Sequence, residues 1–423
     1  MLKKYFEPGS IFSYSGFRNL FLSAILTVMA MSAFPIALAV VVLDAGGSAT
    51  TLGLVMAVRV LAGVLCAPIA GVWVDRMPRK WVLIFADGFR AIMGTTVIFF
   101  NPSHVSVWIL AAIVALMGIS DGFGGPASQS IMPSLLPDEH LPHGNVVRNI
   151  SMKAASIAGP GIAGALVVAF GTHTTFIATS VALLVGAALL IRIKENSALE
   201  ESTSPNKFFH DLKDGLRIVW YYKWIAAMIA MATVQLMLVL GTEQVMLPVI
   251  TKREFHTPSV FATSAALFSL GGGISAILSI RAKTKKHGLV AATVWGLFAL
   301  APLVLAFPTS KHIIFIAYFI AGFSVGPWEA YWSTSVQRQV PAEYQGRVFS
   351  IDYMGSVGLM PLGMAMAGPL AGFFGEKPFL IGISVFHLLI CGLVLLVPGV
   401  IYMKHPESKD SFNNSPKSEQ AKP

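Results

Sequence analysis

Gly71-Val72-Trp73-Val74-Asp75-Arg76-Met77-Pro78-Arg79-Lys80 joins two apolar runs, 51–72 and 81–100. Each run has about the 20 residues that a helix needs to cross a hydrocarbon core of about 30 Å. A tight turn between two such spans needs Gly71 for close helix approach. Asp75 sits where the next helix begins, so its carboxylate can cap that helix's free N–H groups. Arg76, Arg79 and Lys80 form a basic cluster that lipid headgroups attract, and such clusters stay on the cytoplasmic side.

The rest of the chain repeats this theme. Of 423 residues, 55% are hydrophobic and 12% are charged, and the mean hydropathy is +0.70. A soluble domain carries about 25% charged residues, so this chain has too few charges to solvate a globular surface. Disorder, a coiled coil and a disulfide scaffold are excluded by the same composition. Twelve runs are long and apolar enough to span: 17–43, 51–72, 81–100, 105–124, 145–170, 174–193, 224–250, 260–280, 289–307, 313–335, 348–374 and 378–403. The expected fold is therefore an all-α integral membrane protein of 12 transmembrane helices. The loops expected outside hold only Lys252, Arg253, Lys311 and Lys377, whereas nearly all other Lys and Arg fall on the opposite side. That bias places both termini in the cytoplasm. It also accounts for the net charge of +9 without a nucleic-acid partner.

The chain divides in the middle. Residues 194–223 form the longest polar stretch before the tail, with NSALEESTSPN as a linker and FFHDLKDGLRIVWYYKW reading as a helix at the cytoplasmic interface. This gives an N-terminal six-helix half over 1–193, a C-terminal half over 224–403, and a polar, disordered tail over 404–423. The halves look like copies. AGPGIAG at Ala158–Gly164 matches AGPLAG at Ala367–Gly372, and each follows a Gly-Pro segment, from Gly125 and from Gly326. Two halves repeated in parallel suit a secondary transporter whose substrate binds near the midplane.

Charges inside spans cost roughly 2.5–3.5 kcal/mol each on insertion scales and are functional candidates by default. Asp87 and Arg90 are three residues apart and can pair on one helix face. Arg59 is a candidate partner for Asp121. Asp121 and Glu329 occupy comparable positions in the two halves. Each is either a proton carrier, suited to uptake and release in a poorly hydrated cavity, or a buried ion-pair or substrate contact. Glu243 is a third cavity carboxylate candidate. Asp352 and Arg347, near the cytoplasmic end of the eleventh span, suit a gate network, and His387 reads as a packed, hydrogen-bonded histidine. Trp328, Tyr331 and Trp332 beside Glu329 fit either packing or a cavity for an amphipathic or cationic substrate. Enzyme signatures are lacking: the sequence has no G-x-x-x-x-G-K-[ST], HExxH or CxxC. No metal or other cofactor is implied.

The pattern G-x-x-x-D-R-x-x-R-K, the twelve runs and the parallel repeat together resemble the major facilitator superfamily. ADGFRA at Ala86–Ala91 and GGPASQSIMPSLLPDEHL at Gly124–Leu141 are similar to its drug-efflux branch, which includes macrolide and enterobactin exporters. The resemblance implies that Gly71, Asp75, Arg76, Arg79 and Lys80 form a conformational-switch loop. In it Asp75 steadies an outward-open state, with Arg347 as partner. AGPGIAG resembles the antiporter motif through Gly159, Pro160 and Gly164, with Ala163 departing from the usual form. Small residues and Pro at such sites also serve plain helix packing. Asp121 stands in a span where many proton-coupled relatives carry Arg, so their coupling scheme does not transfer. The expected function is export of an amphipathic small molecule or drug by proton antiport with alternating access. The alternative is a lipid, siderophore or other specialised transporter of the same fold, or an importer. Partners are the substrate, protons and membrane lipids. A monomer in the bacterial cytoplasmic (inner) membrane is implied.

Overall fold

A computed structural model describes residues 10–74, 77–99, 106–195, 205–281 and 284–404. Every regular element among the described residues is helical. The first half contains α1 (Ser15–Asp44), α2 (Ala49–Val74), α3 (Arg79–Thr96), α4 (Val107–Ser130) and α5 (Leu141–Ile191). Helix α6 (Pro205–Tyr221) follows. The second half contains α7 (Lys223–Gln235), α8 (Gly241–Phe255), α9 (Pro258–Arg281), α10 (His287–Trp295), α11 (Leu300–Leu305), α12 (Lys311–Gln339), α13 (Ala342–Gly358), α14 (Met360–Phe374) and α15 (Glu376–Val394). Among the described residues, eleven helical stretches are long and apolar enough to cross a membrane. The expected fifth and sixth spans fall within α5. Gly171 breaks that helix with φ 79° and ψ 173°, a conformation open to glycine.

Other spans are interrupted rather than uniform. The seventh expected span runs through α7, a π-helical turn at Leu236–Leu240, and α8. The ninth passes from α10 through a 3₁₀ turn at Gly296–Ala299 into α11. Helix α6 buries Ile218 and Val219 while exposing Leu216, Arg217 and Trp220. It packs on α13, where Gly215 leaves room for Arg347 and Ile351. The expected linker residues 196–204 and the tail 405–423 lie outside the described residues.

Within the first half α1 packs on α5 and α2 on α4; within the second α9 packs on α12. Two seams join the halves, α5 on α9 and α2 on α14. Small residues make both seams. A Cβ on Gly164 would strike the Ala262 side chain, and one on Gly53 would strike the Met364 carbonyl. A salt bridge from Lys252 Nζ to Asp44 Oδ1, 2.6 Å, also crosses between the halves. All these contacts lie at one end of the bundle, where α1 turns into α2 and α8 into α9. We call this the closed face and the opposite end, which carries α6, the linker face.

Candidate functional site

The first half holds a network of buried charges. Arg90, on α3, donates from Nη1 to Asp87 Oδ1 at 2.6 Å, one turn earlier on the same helix. Its Nε donates to Asp121 Oδ1 on α4 at 2.9 Å, and its Nη2 to the Ser120 carbonyl at 2.9 Å. Arg59, on α2, donates from Nε to Asp121 Oδ2 at 3.1 Å. Thr27 of α1 donates to Asp87 Oδ2 at 2.8 Å. Two arginines and two aspartates thus cancel in formal charge. Each carboxylate receives charge-assisted hydrogen bonds, which are about twice as strong as neutral ones. Helix approach makes the geometry possible: a Cβ on Gly118 would strike the Arg59 carbonyl, so α4 lies directly on α2. Asp121 is therefore bridged by two cations rather than left to open water.

Beneath this network, towards the linker face, lies a cavity of about 690 Å³. Walls from α1, α3, α4 and α5 carry Thr27, Asp87, Arg90, Ser128 and Arg148, with Leu20, Met31, Met152 and Leu190 as apolar surface. Its size is that of a site for an organic molecule. Arg148 Nη2 donates to Ser128 Oγ at 2.6 Å.

A second, smaller cleft of about 180 Å³ lies between the halves. Ser156 of α5, Phe268, Gly272 and Gly273 of α9, and Gly326 and Glu329 of α12 border it. These positions fall midway along their helices, and the Glu329 side chain is exposed. Gly322 and Gly271 bring α12 and α9 into backbone contact beside it. Glu243, on α8, is half-buried. Its carboxyl lies beside the fully buried Tyr318, whose hydroxyl finds no well-aligned hydrogen bond.

The aromatic expectation needs correcting. Tyr331 and Trp332 are buried in the core of the second half and do not line the Glu329 cleft. Trp332 donates from Nε1 to Asp352 Oδ2 at 2.9 Å and meets Trp224 edge-on. Tyr331 stacks on His287, and Trp328 packs against Trp295. Tyr331, two positions from Glu329, lies on the opposite side of the helix, and Trp332, three positions on, is held away from the cleft by Asp352 and Trp224. His387 is fully buried, with Nε2 at 2.9 Å from the Trp295 carbonyl. Gln235 joins it, accepting from Trp295 Nε1 at 2.7 Å and donating to the His387 carbonyl.

The signature loop is only partly described. Asp75 and Arg76 lie outside the described residues. Gly71 falls within the last turn of α2. Among the described residues, the start of α3 is capped from the end of α5. Glu195, just after α5, accepts from the Arg79 and Lys80 backbone N–H groups, both at 3.0 Å. Lys80 Nζ also donates to the Ile193 carbonyl at 3.0 Å. A carboxylate on a helix N-terminus satisfies free donors and the helix dipole together. Arg347 pairs with Asp214 of α6 at 3.3 Å, and its guanidinium lies over the Tyr344 ring. In AGPGIAG, Gly159 faces Ser32 of α1, Gly164 faces Ala262 across the seam, and Pro160 sits inside α5. Sequence alone does not single out Thr27, Ser120, Arg148, Glu195 or Asp214 as site residues. Arg148 counts there only as a loop charge, and none of the others lies in a motif.

An all-helical membrane protein with two joined halves, a closed face and polar cavities within the span region is a transporter in design. The chain belongs to the Major Facilitator Superfamily, whose family model matches residues 20–363. Multidrug efflux pump Tap of Mycolicibacterium fortuitum is 26% identical over 371 residues, covering 84% of this chain and 89% of that protein. Macrolide efflux protein A of Streptococcus pyogenes is 26% identical over 362 residues, covering 83% and 86%. Among solved structures, a bacterial homologue of the iron transporter ferroportin in an inward-facing state aligns with a TM-score of 0.67. It is 20% identical and covers 90% of this chain and 97% of that one. The nucleoside transporter NupG aligns with a TM-score of 0.68 at 12% identity, covering 90% and 98%. These two similarities concern fold alone. The chain is thus a multi-pass membrane transporter, not an enzyme, with efflux pumps among its relatives.

Proposed function

We propose that this chain exports an amphipathic small molecule across the bacterial inner membrane by alternating access, in exchange for protons. The carrying observation is the asymmetry of the two ends. The halves are sealed at the closed face by the Gly53, Gly164 and Asp44–Lys252 contacts, while the large cavity lies towards the linker face. With the linker face in the cytoplasm, this is the arrangement in which a pump loads its cargo. Efflux pumps at about a quarter identity along most of the chain support the direction.

In this reading α5 crosses twice, because 51 helical residues would extend about 77 Å at 1.5 Å per residue, far beyond one bilayer core. Gly171 makes the turn, giving twelve crossings, six per half, with both termini in the cytoplasm. Residues 1–193 and 224–403 rock as a monomer's two halves about the seams, joined by 194–223. Arg347 holds α6 through Asp214 in the present state and passes to Asp75 when the linker face closes. Glu329 faces the cleft that opens and closes between the halves and is the leading proton carrier, with Glu243 second. Asp121 holds two arginines and serves structure. Expression in an efflux-deficient bacterium tests the assignment. Raised resistance to at least one macrolide, tetracycline or lipophilic cation, lost in E329Q at equal expression, is expected. Unchanged susceptibility to all three classes counts against drug export and favours a specialised cargo.

A further inference from the structure

The charges at the head of the large cavity cancel, Arg59 and Arg90 against Asp87 and Asp121, at 2.6–3.1 Å. Arg148 stands outside that balance. It lies on the cavity wall, half-buried, with one neutral partner, Ser128 Oγ. Among the described residues its Nε is shielded from water without an acceptor, and its hydrogen bond goes to the neutral Ser128 rather than to a carboxylate. A guanidinium that served only to fix orientation would extend into water or the headgroups. This one is folded back onto a serine within a cavity. Burying an unpaired charge is costly, and the cost is relieved when an anion arrives. The planar fork of an arginine matches a carboxylate or phosphate with two parallel hydrogen bonds. Leu20, Met31, Met152 and Leu190 supply apolar surface along the same cavity.

We infer that Arg148 receives the acidic group, a carboxylate or a phosphate, of an amphipathic molecule whose apolar body lies along α1 in this cavity. The site therefore selects organic anions over neutral or cationic analogues. The inference rests on the cavity being the loading chamber of the proposed exporter, but its test is one of binding, so the two stand or fall separately. Glu329 borders the separate, smaller cleft between the halves, not this cavity. A carboxylate bound at Arg148 does not engage Glu329, and proton exchange there continues.

The test uses the full chain in phosphatidylcholine nanodiscs and three fluorescent probes with one body: dansylaminoundecanoic acid, its primary amide, and the corresponding trimethylammonium. The acid is expected to bind at least about tenfold more tightly than the amide, about 1.4 kcal/mol, and the ammonium weakest. In R148Q the acid falls to the level of the amide, whose own affinity stays unchanged, while R148K keeps most of the preference. Equal binding of acid and amide overturns the inference, as does preference for the ammonium or survival of the acid preference in R148Q. If R148Q does not fold, the order of the three probes on the unaltered chain decides. Phosphatidylglycerol in the discs separates the two sources of the anion. Competition with the acid assigns the site to a bilayer lipid, and no competition assigns it to a free organic acid; both uphold the anion site. The binding order is read even if no compound crosses a vesicle membrane, so a failed export assay leaves it intact.

Discussion

Replacing Asp121 by Asn removes the carboxylate that bridges Arg59 and Arg90 and leaves two cations facing Asp87 alone. The distances at stake are 3.1 Å to Arg59 and 2.9 Å to Arg90. Breaking one side of a buried ion pair costs about 3–5 kcal/mol. Arg90 and Asp87 expose 6% and 4% of their side chains, but Asp121 exposes 33%, so water screens part of the loss. The low end of the range, about 3 kcal/mol, is the appropriate value. For a cooperative unit the size of one half, at about 2–4 °C per kcal/mol, the apparent Tm falls by about 6–12 °C. Because the penalty comes from an unmatched cation, R59Q added to D121N restores charge balance and recovers part of the loss. A coupling of at least about 1 kcal/mol between the two positions is expected. The assay is thermal unfolding of purified protein followed by fluorescence-detected size exclusion, with four chains in one cycle. A D121N protein that melts within about 1 °C of the unaltered chain, yet loses dependence on the pH gradient, refutes the structural reading and makes Asp121 the coupling carboxylate.

Three further outcomes follow from the geometry. G53V places a side chain against the Met364 carbonyl and prevents α2 and α14 from meeting at the closed face. A cysteine at Thr50 then reacts faster with a membrane-impermeant maleimide added from that face, and equal rates would count against the seam. E195Q weakens the cap on the Arg79 and Lys80 amides and lowers stability by about 0.5–2 kcal/mol; an unchanged melting curve contradicts the capping role. D44N breaks an exposed pair with Lys252 whose side chains are 49% and 32% exposed. It therefore changes stability by at most about 1 kcal/mol, and a larger drop would show that the closed face depends on that single contact.

What the sequence discloses depends on the range over which each interaction acts. Spans are local: an apolar run of about 20 residues is a helix in lipid wherever it sits. The all-helical membrane fold is therefore legible residue by residue, as is the pairing geometry of Asp87 with Arg90, one turn apart on α3. Contacts between helices are less so. Arg59 and Asp121 meet because Gly118 admits α4 onto α2, and nothing local to either residue encodes that approach. Glu195 reaches the start of α3 from more than a hundred positions away, while Asp75 is the better placed by adjacency alone. The aromatic residues after Pro327 mislead for a helical reason. Residues two apart leave a helix on nearly opposite sides, so Tyr331 enters the core while Glu329 faces the cleft, and Trp332 is held off the cleft by its bond to Asp352. Arg148 groups with the topological charges because its charge is visible in sequence, whereas its burial against Ser128 is not.

Export driven by proton exchange through Glu329, as proposed, is decided in proteoliposomes of purified protein with an imposed pH gradient, followed with a transported drug from the susceptibility panel. Accumulation should collapse with the gradient and be abolished in E329Q, while gradient-independent exchange of labelled for unlabelled drug is retained in that variant. Accumulation that is indifferent to the pH gradient, or that persists in E329Q, rules out proton exchange through Glu329.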